Sequence, residues 1–260
     1  MSSRLFPPAG GPEPDCARGS LVLLRHGRTR WNDEGRITGW EDPPLSEEGA
    51  DEATRAGQLI SAVGLSISTV YTSLTQRARD TAELVLASLD GHPPMLLVDW
   101  RLNERHFGLL QGLDRATATH LYGRKALRAW KHDPAAVPPH VLADDGRHPI
   151  HDARYRHVVR KLLPGAESIV QHADRVLECW QESINPHLDR GVNVLVVSHC
   201  HSLRVLATQL DTPPTPSASP RFLLPGATFL YPGRGNAREL TLTNGTPPDF
   251  TGPSLAPNGY

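Results

Sequence analysis

The stretch LVLLRHGRT, residues 21–29, decides the fold. Leu21 to Leu24 is a continuous apolar run, not an alternating one, which is the pattern of a strand buried on both faces, as in a parallel sheet. The run stops at Arg25-His26-Gly27, so a cation, an imidazole and a residue without a side chain stand at the strand's carboxyl end. Val192 to Val197 is a second run of this kind, and it stops at Ser198-His199. Ile67 to Tyr71 and Met95 to Val98 are weaker strand candidates. Ligands of open α/β sheets bind beyond the carboxyl ends of the strands. Both strand-ending histidines therefore belong on one rim.

Helical patterns lie between these runs. From Ser46 to Val63, Ala53, Ala56, Leu59, Ile60 and Val63 recur at three and four residues. Ser73 with Gln76 reads as a capping box opening a helix to about Leu89. Ala116 to Trp130 and Glu167 to Leu188 read as two more helices. Strands alternating with helices predict an α/β fold, a three-layer sandwich with a mostly parallel central sheet flanked by helices.

The 260 residues suffice for one large domain or two small ones. Lys and Arg number 27 against 28 Asp and Glu, so no global field draws the chain to nucleic acid or anionic membranes. It carries no run of about 18 apolar residues that would span a membrane. Cys16, Cys179 and Cys200 cannot all pair, which fits a reducing cytoplasm. The 24 prolines concentrate in the leader, in 133–139, in 212–220 and near the C-terminus. The expected organisation is a disordered leader over 1–19, a catalytic domain over 20–232 and an irregular tail over 233–260. Sequence leaves homo-oligomerisation open.

Chemistry concentrates at a few positions. A neutral imidazole is a competent nucleophile towards phosphorus near neutral pH. Arg25, beside His26, offers planar, permanently charged donors for phosphate oxygens. Arg77, at the start of a helix, is a second cation near a strand end, and His199 is a second imidazole. Glu104, in LNERHFG (102–108), follows another strand candidate. Phosphoryl transfer needs a nucleophile, donors around the equatorial oxygens and an acid for the leaving oxygen. His26, Arg25, Arg77, His199 and Glu104 match those parts, with a small phosphorylated molecule as substrate. Each taken singly also has a plain structural reading, as a turn, a solvated helix arginine, a core histidine or a carboxylate paired with Arg105. His148, His151 and His157, or Cys200 with His201, fit no standard zinc signature, so no metal is expected.

With those residues in hand, the chain resembles the histidine phosphatase superfamily, and within it the cofactor-dependent phosphoglycerate mutases. The resemblance runs from Leu21 to about Leu210. It is carried by residues 21–49, by YTSLTQRARDT (71–81), LNERHFGLLQGL (102–113), LPGAES (163–168) and VSHCHSLRVL (197–206). It implies a phosphoglycerate mutase-like fold in which His26 becomes phosphohistidine. Arg25, Arg77 and His199 would hold the transferring phosphate, and Glu104 would exchange a proton with the leaving oxygen. Asn32, Thr38 and Gly39 would line the substrate site, with Arg28, Thr29, Phe107, Arg115, Lys131, His132, Cys200 and His201 in the surrounding shell. The implied reaction interconverts 3-phosphoglycerate and 2-phosphoglycerate, primed by 2,3-bisphosphoglycerate as phosphate donor, without a metal.

The departures from the mutase pattern cluster in that shell. Phe107 replaces a Tyr, Arg115 a Lys, and Lys131-His132 a pair of arginines. Cys200-His201 replaces the Gly-Asn that follows the second histidine, and Arg28 replaces a Glu. The alternative expectation is therefore a specialised phosphatase or phosphotransferase acting on another phosphoester.

Overall fold

A computed structural model describes residues 18–210, 224–233 and 238–240. Expectations for 1–17, 212–220 and 241–260, Cys16 included, lie outside the described residues. Strands β1 (Leu21–Arg25), β2 (Thr69–Thr72), β3 (Met95–Val98), β4 (Val194–Ser198), β5 (Thr228–Tyr231) and β6 (Arg238–Leu240) form one sheet in the order β3-β2-β4-β1-β5-β6. The first four run parallel. β5 pairs antiparallel with β1, and β6 antiparallel with β5.

The continuous apolar runs have the burial expected of them: Leu21 to Leu24 and Val194 to Val197 are all buried. Their alternate residues serve opposite faces. Leu21, Leu23, Val194 and Val196 pack with Val176, Trp180, Ile184, Leu203 and Leu206 from α5 (Ile169–Cys179), a π-helical turn (Trp180–Ile184) and α7 (Cys200–Ala207). Val22, Leu24, Leu195 and Val197 pack with Ala56, Ile60, Ala82 and Val85 from α2 (Glu47–Ala62) and α3 (Gln76–Ala87). Helices thus cover both faces of the sheet, giving the three layers. A short α1 (Arg30–Asp33), α4 (Arg115–His132) and α6 (Asn185–Asp189) complete the α-helices of the described residues. None of the described helices is long and apolar enough to cross a membrane.

Several boundaries differ from expectation for identifiable reasons. The helix expected from Glu167 starts at Ile169, because Ser168 is its N-cap in a capping box with Gln171. It widens into the π turn just before Pro186, whose nitrogen cannot donate. The helix expected over 116–130 is two segments, since Gly123 breaks it with φ 79° and ψ 152°. Ser73 and Gln76 do not form the expected capping box. α3 begins at Gln76 behind Thr75, and the Gln76 N–H is met by the Asp42 carboxylate at 2.9 and 2.7 Å.

The two ends of the domain also need correction. Residues 233–260 were expected to be irregular, yet Arg238–Leu240 is the edge strand β6. Arg18 and Gly19, which the sequence places in the leader, are part of the domain: Arg18 pairs with Asp189 at 3.1 Å and the Gly19 N–H bonds the Leu188 carbonyl at 2.8 Å.

Candidate active site

The pairing of β1 with β4 aligns Arg25 with Ser198, so the next residue on each strand, His26 and His199, emerges at the same level. The His26 N–H bonds the Ser198 carbonyl at 2.9 Å, and the two imidazole centroids lie 5.0 Å apart. His26 is held from below by a close backbone approach. A Cβ on Gly27 would lie 2.1 Å from the Gly49 carbonyl oxygen, and one on Gly49 would lie 2.0 Å from that of Arg28. Both positions therefore require glycine.

Arg77 enters from the first turn of α3 and is buried. All five guanidinium N–H groups have acceptors. Nε donates to His26 Nε2 at 3.3 Å, and Nη2 to His199 Nδ1 at 3.2 Å and the Gly39 carbonyl at 2.8 Å. Nη1 donates to the Glu41 carbonyl at 2.8 Å and approaches Asp42 at 3.5 Å. A guanidinium cannot accept, so His26 Nε2 and His199 Nδ1 must both present lone pairs to it. The other nitrogens follow. His26 Nδ1–H donates to the Gly27 carbonyl at 2.7 Å, and His199 Nε2–H to Ser73 Oγ at 2.9 Å. Burial, then Arg77, holds both imidazoles well below their ordinary pKa, so both are neutral at pH 7. Burial also lowers Arg77 to about 10, which still leaves it charged.

Glu104 is buried across the cleft, and its neighbour Arg105 does not pair with it. The Arg105 side chain turns away to the Glu167 and Trp130 carbonyls at 2.8 Å each, while its backbone N–H donates to Glu104 Oε1 at 2.7 Å. The loop carrying Glu104 is fixed from behind. A buried Glu167–Arg175 ion pair at 2.6 Å places Arg175 against the Asn103 and Glu104 carbonyls at 2.9 and 2.8 Å. Trp40 Nε1 donates to the same Glu104 carbonyl at 2.6 Å. Burial works against ionisation of Glu104, but His201 at 3.1 Å, together with His199 and His172, outweighs it and holds the carboxyl well below the usual range. Arg25 stands among Cys200, Glu104 and Arg204, and burial lowers its pKa.

The expected substrate shell is more scattered. Arg28 does not stand free for an anion, because it pairs with Asp33 at 2.9 Å and with Glu52 at 3.6 Å. Thr29 and Asn32 form the capping box of α1, with Asn32 Oδ1 accepting from the Thr29 N–H at 3.0 Å. Thr38 Oγ1 reaches the Arg36 carbonyl at 3.5 Å, and Gly39 contributes the carbonyl that holds Arg77. Arg115, Lys131 and His132 lie exposed at the two ends of α4, with no ion pair to a described residue. Phe107 packs edge-on against His201, and Cys200 is buried beside Arg25 and Glu104, its pKa raised by burial.

The sequence reading missed several positioning groups. Ser73 orients His199, and Asp42 caps α3. Gln111 Oε1 accepts from the Trp40 N–H at 2.9 Å and the Phe107 N–H at 3.2 Å. Glu167, Ser73 and Asp42 all lay inside stretches that carry the family resemblance, but nothing local pointed to their roles, because the partners of Ser73 and Asp42 are distant in the chain.

The sequence model of the histidine phosphatase superfamily, branch 1, matches residues 21–228. Among solved structures, YhfR of Bacillus stearothermophilus is similar at 29% identity and a TM-score of 0.60, over 82% of this chain and 90% of that one. A mycobacterial glucosyl-3-phosphoglycerate phosphatase is similar at 26% identity and a TM-score of 0.59, over 82% and 92%. A phosphoglycerate mutase of Bacillus anthracis shares the fold at 22% identity and a TM-score of 0.60, over 88% and 94%.

Proposed function

This chain belongs to the histidine phosphatase superfamily, and from that premise we propose that it hydrolyses a small phosphomonoester through a phosphohistidine at His26. The observation that carries the reading is the convergence of two imidazole lone pairs, on His26 Nε2 and His199 Nδ1, upon one buried guanidinium. An incoming phosphate gives the Arg77 N–H groups better acceptors than neutral nitrogens, since charge-assisted bonds are roughly twice as strong. That exchange frees the His26 lone pair at the moment its target arrives. Arg25 and Arg77 then face the charge on the equatorial oxygens, and Glu104 supplies the proton for the leaving oxygen. Water attacks the phosphohistidine in the second half, the P–N bond breaks, and the proton returns to the acid.

Hydrolysis is favoured over mutase action by the state of the shell. The second phosphate and the carboxylate of 2,3-bisphosphoglycerate need cations gathered beyond the reacting phosphate. Arg28 is neutralised by Asp33 and Glu52, and Phe107 lacks a hydroxyl. Arg115, Lys131 and His132 stand apart on α4. These residues do not fit a bisphosphorylated primer. A hydrolase and a phosphatase stand among the relatives at 25% identity or above. We place the enzyme in the cytoplasm on its cysteine usage, Cys179 and Cys200 both being free.

The test incubates the purified protein with 3-phosphoglycerate, with and without 2,3-bisphosphoglycerate, and with p-nitrophenyl phosphate. 2-Phosphoglycerate and free phosphate are measured separately. Free phosphate with an acid-labile phosphoenzyme, absent in His26→Ala, is expected. 2-Phosphoglycerate well above the His26→Ala background would establish the mutase reading instead.

A further inference from the structure

His201 sits where nothing in the reaction as described requires an imidazole. Its Nδ1 lies 3.1 Å from Glu104 Oε1, off the alignment of a good hydrogen bond, and its backbone N–H approaches Oε2 at 3.4 Å. The Nδ1 atom is buried against the carboxylate, although the side chain as a whole is 43% exposed. The ring is steadied by an edge-on contact with Phe107 at 5.7 Å, and the Arg105 guanidinium covers Phe107 at 5.4 Å. One end of the imidazole thus meets the proposed acid while the residue remains open to solvent.

We propose that the proton donor of this enzyme is the Glu104–His201 pair, His201 acting as the positioning residue that keeps a proton at Glu104 and replenishes it from water. The inference rests on the reading of Glu104 as general acid. It addresses a difficulty inside that reading. Arg25 from the end of β1, His26 just after it, Arg77 from α3, His199, Cys200 and His201 from the β4–α7 turn, His172 from α5 and Arg105 from its own loop all interact electrostatically with Glu104. With the His201 ring at 3.1 Å the Glu104 carboxyl is held below the usual carboxylate range, so at neutral pH it has no proton of its own to give. A carboxylate and an imidazole sharing one proton lose it at the pair's apparent pKa, which belongs to neither group alone. In the first half-reaction the His26 lone pair bonds phosphorus, the P–O bond breaks, and the leaving oxygen takes the one shared proton through Glu104, which leaves a carboxylate beside a neutral His201. In the second half, water bonds phosphorus, the P–N electrons return to His26 Nε2, and the water proton restores the pair.

The test exploits leaving groups. p-Nitrophenolate departs without help, whereas phenolate, about as basic as a tyrosine side chain with its pKa near ~10, needs a proton. kcat/KM is measured for p-nitrophenyl and phenyl phosphate in wild type, His201→Asn, His201→Gln and Glu104→Gln, with thermal midpoints as a folding check. Both His201 variants are expected to lower the phenyl to p-nitrophenyl ratio by about tenfold or more. They should also displace the alkaline limb of the phenyl phosphate profile, which the pair sets in the wild type. Glu104→Gln is expected to lower the same ratio further. If Glu104→Gln lowers it and neither His201 variant does, or if both substrates fall together in the His201 variants, the pair is overturned. If Glu104→Gln leaves the ratio unchanged, the assignment of Glu104 fails first.

Discussion

The two sides of the cleft around His26 are built to different standards. On the phosphate side, Arg77 is buried with all five donors engaged, and His26 and His199 each have both ring nitrogens partnered. On the facing side, His201 is half exposed, Phe107 rests edge-on against it, and the cations of α4 point into solvent. The first side is made where parallel strands end, so backbone register places it. The second is made of helix ends and loops, where a substitution costs the fold little. On the proposed reading, chemistry is stored in the rigid part and choice of substrate in the permissive part.

The sharpest way to break this contrast is His26→Ala. It should abolish the phosphoenzyme and lower kcat/KM by about 10⁴-fold or more, as losses of a nucleophile do. Turnover surviving at wild-type rates would remove the phosphate side from the chemistry altogether. Next in size, Arg77→Lys keeps a charge but loses the fork that reaches both imidazoles. A drop of about 10² to 10³ in kcat/KM is expected, the usual loss for a donor facing transition-state charge. An equal change in KM alone would make Arg77 a binding group.

A third prediction concerns stability. His26, His172 and His199 have pKa values well below 6.5 through burial, and burial takes His106 down to about 3. The unfolded chain takes up protons at these imidazoles near 6.5, and the native state refuses them. Their contribution is fully present above pH 6.5 and is lost progressively as pH falls below it. Thermal midpoints should therefore drop by several degrees between pH 7.5 and 5.0, and His106→Asn should flatten the slope. A midpoint independent of pH over that range would contradict the buried, neutral imidazoles. The smallest effect belongs to the permissive side. Lys131→Ala and His132→Ala should change kcat/KM for a small aryl phosphate by less than about threefold, and a larger loss would bring α4 into the site.

How much of this was legible in sequence follows the same division. Two apolar runs ending in histidine announced the strands and, through them, the rim where His26 and His199 meet. Ser46 marked the start of α2, which its side chain caps at 3.1 Å from Gly49 N. The failures have a common cause in distant partners. Ser73 read as a helix cap because its neighbours suit one, yet it serves an imidazole 126 positions away. Arg28 read as a substrate cation, but one of the carboxylates that neutralise it lies 24 residues on. β5 is four residues long and antiparallel, and β6 is three, so neither rises above the Pro- and Gly-rich sequence around it.

The side chain of Gln111 ties the two halves together. One amide oxygen holds both the backbone next to Gly39, whose carbonyl grips Arg77, and the backbone of Phe107, which leans on His201. A shift in either wall is therefore transmitted through a single atom to the other. Retuning the enzyme for a bulkier substrate by reshaping the outer wall would disturb the inner one as well, unless this tether is kept.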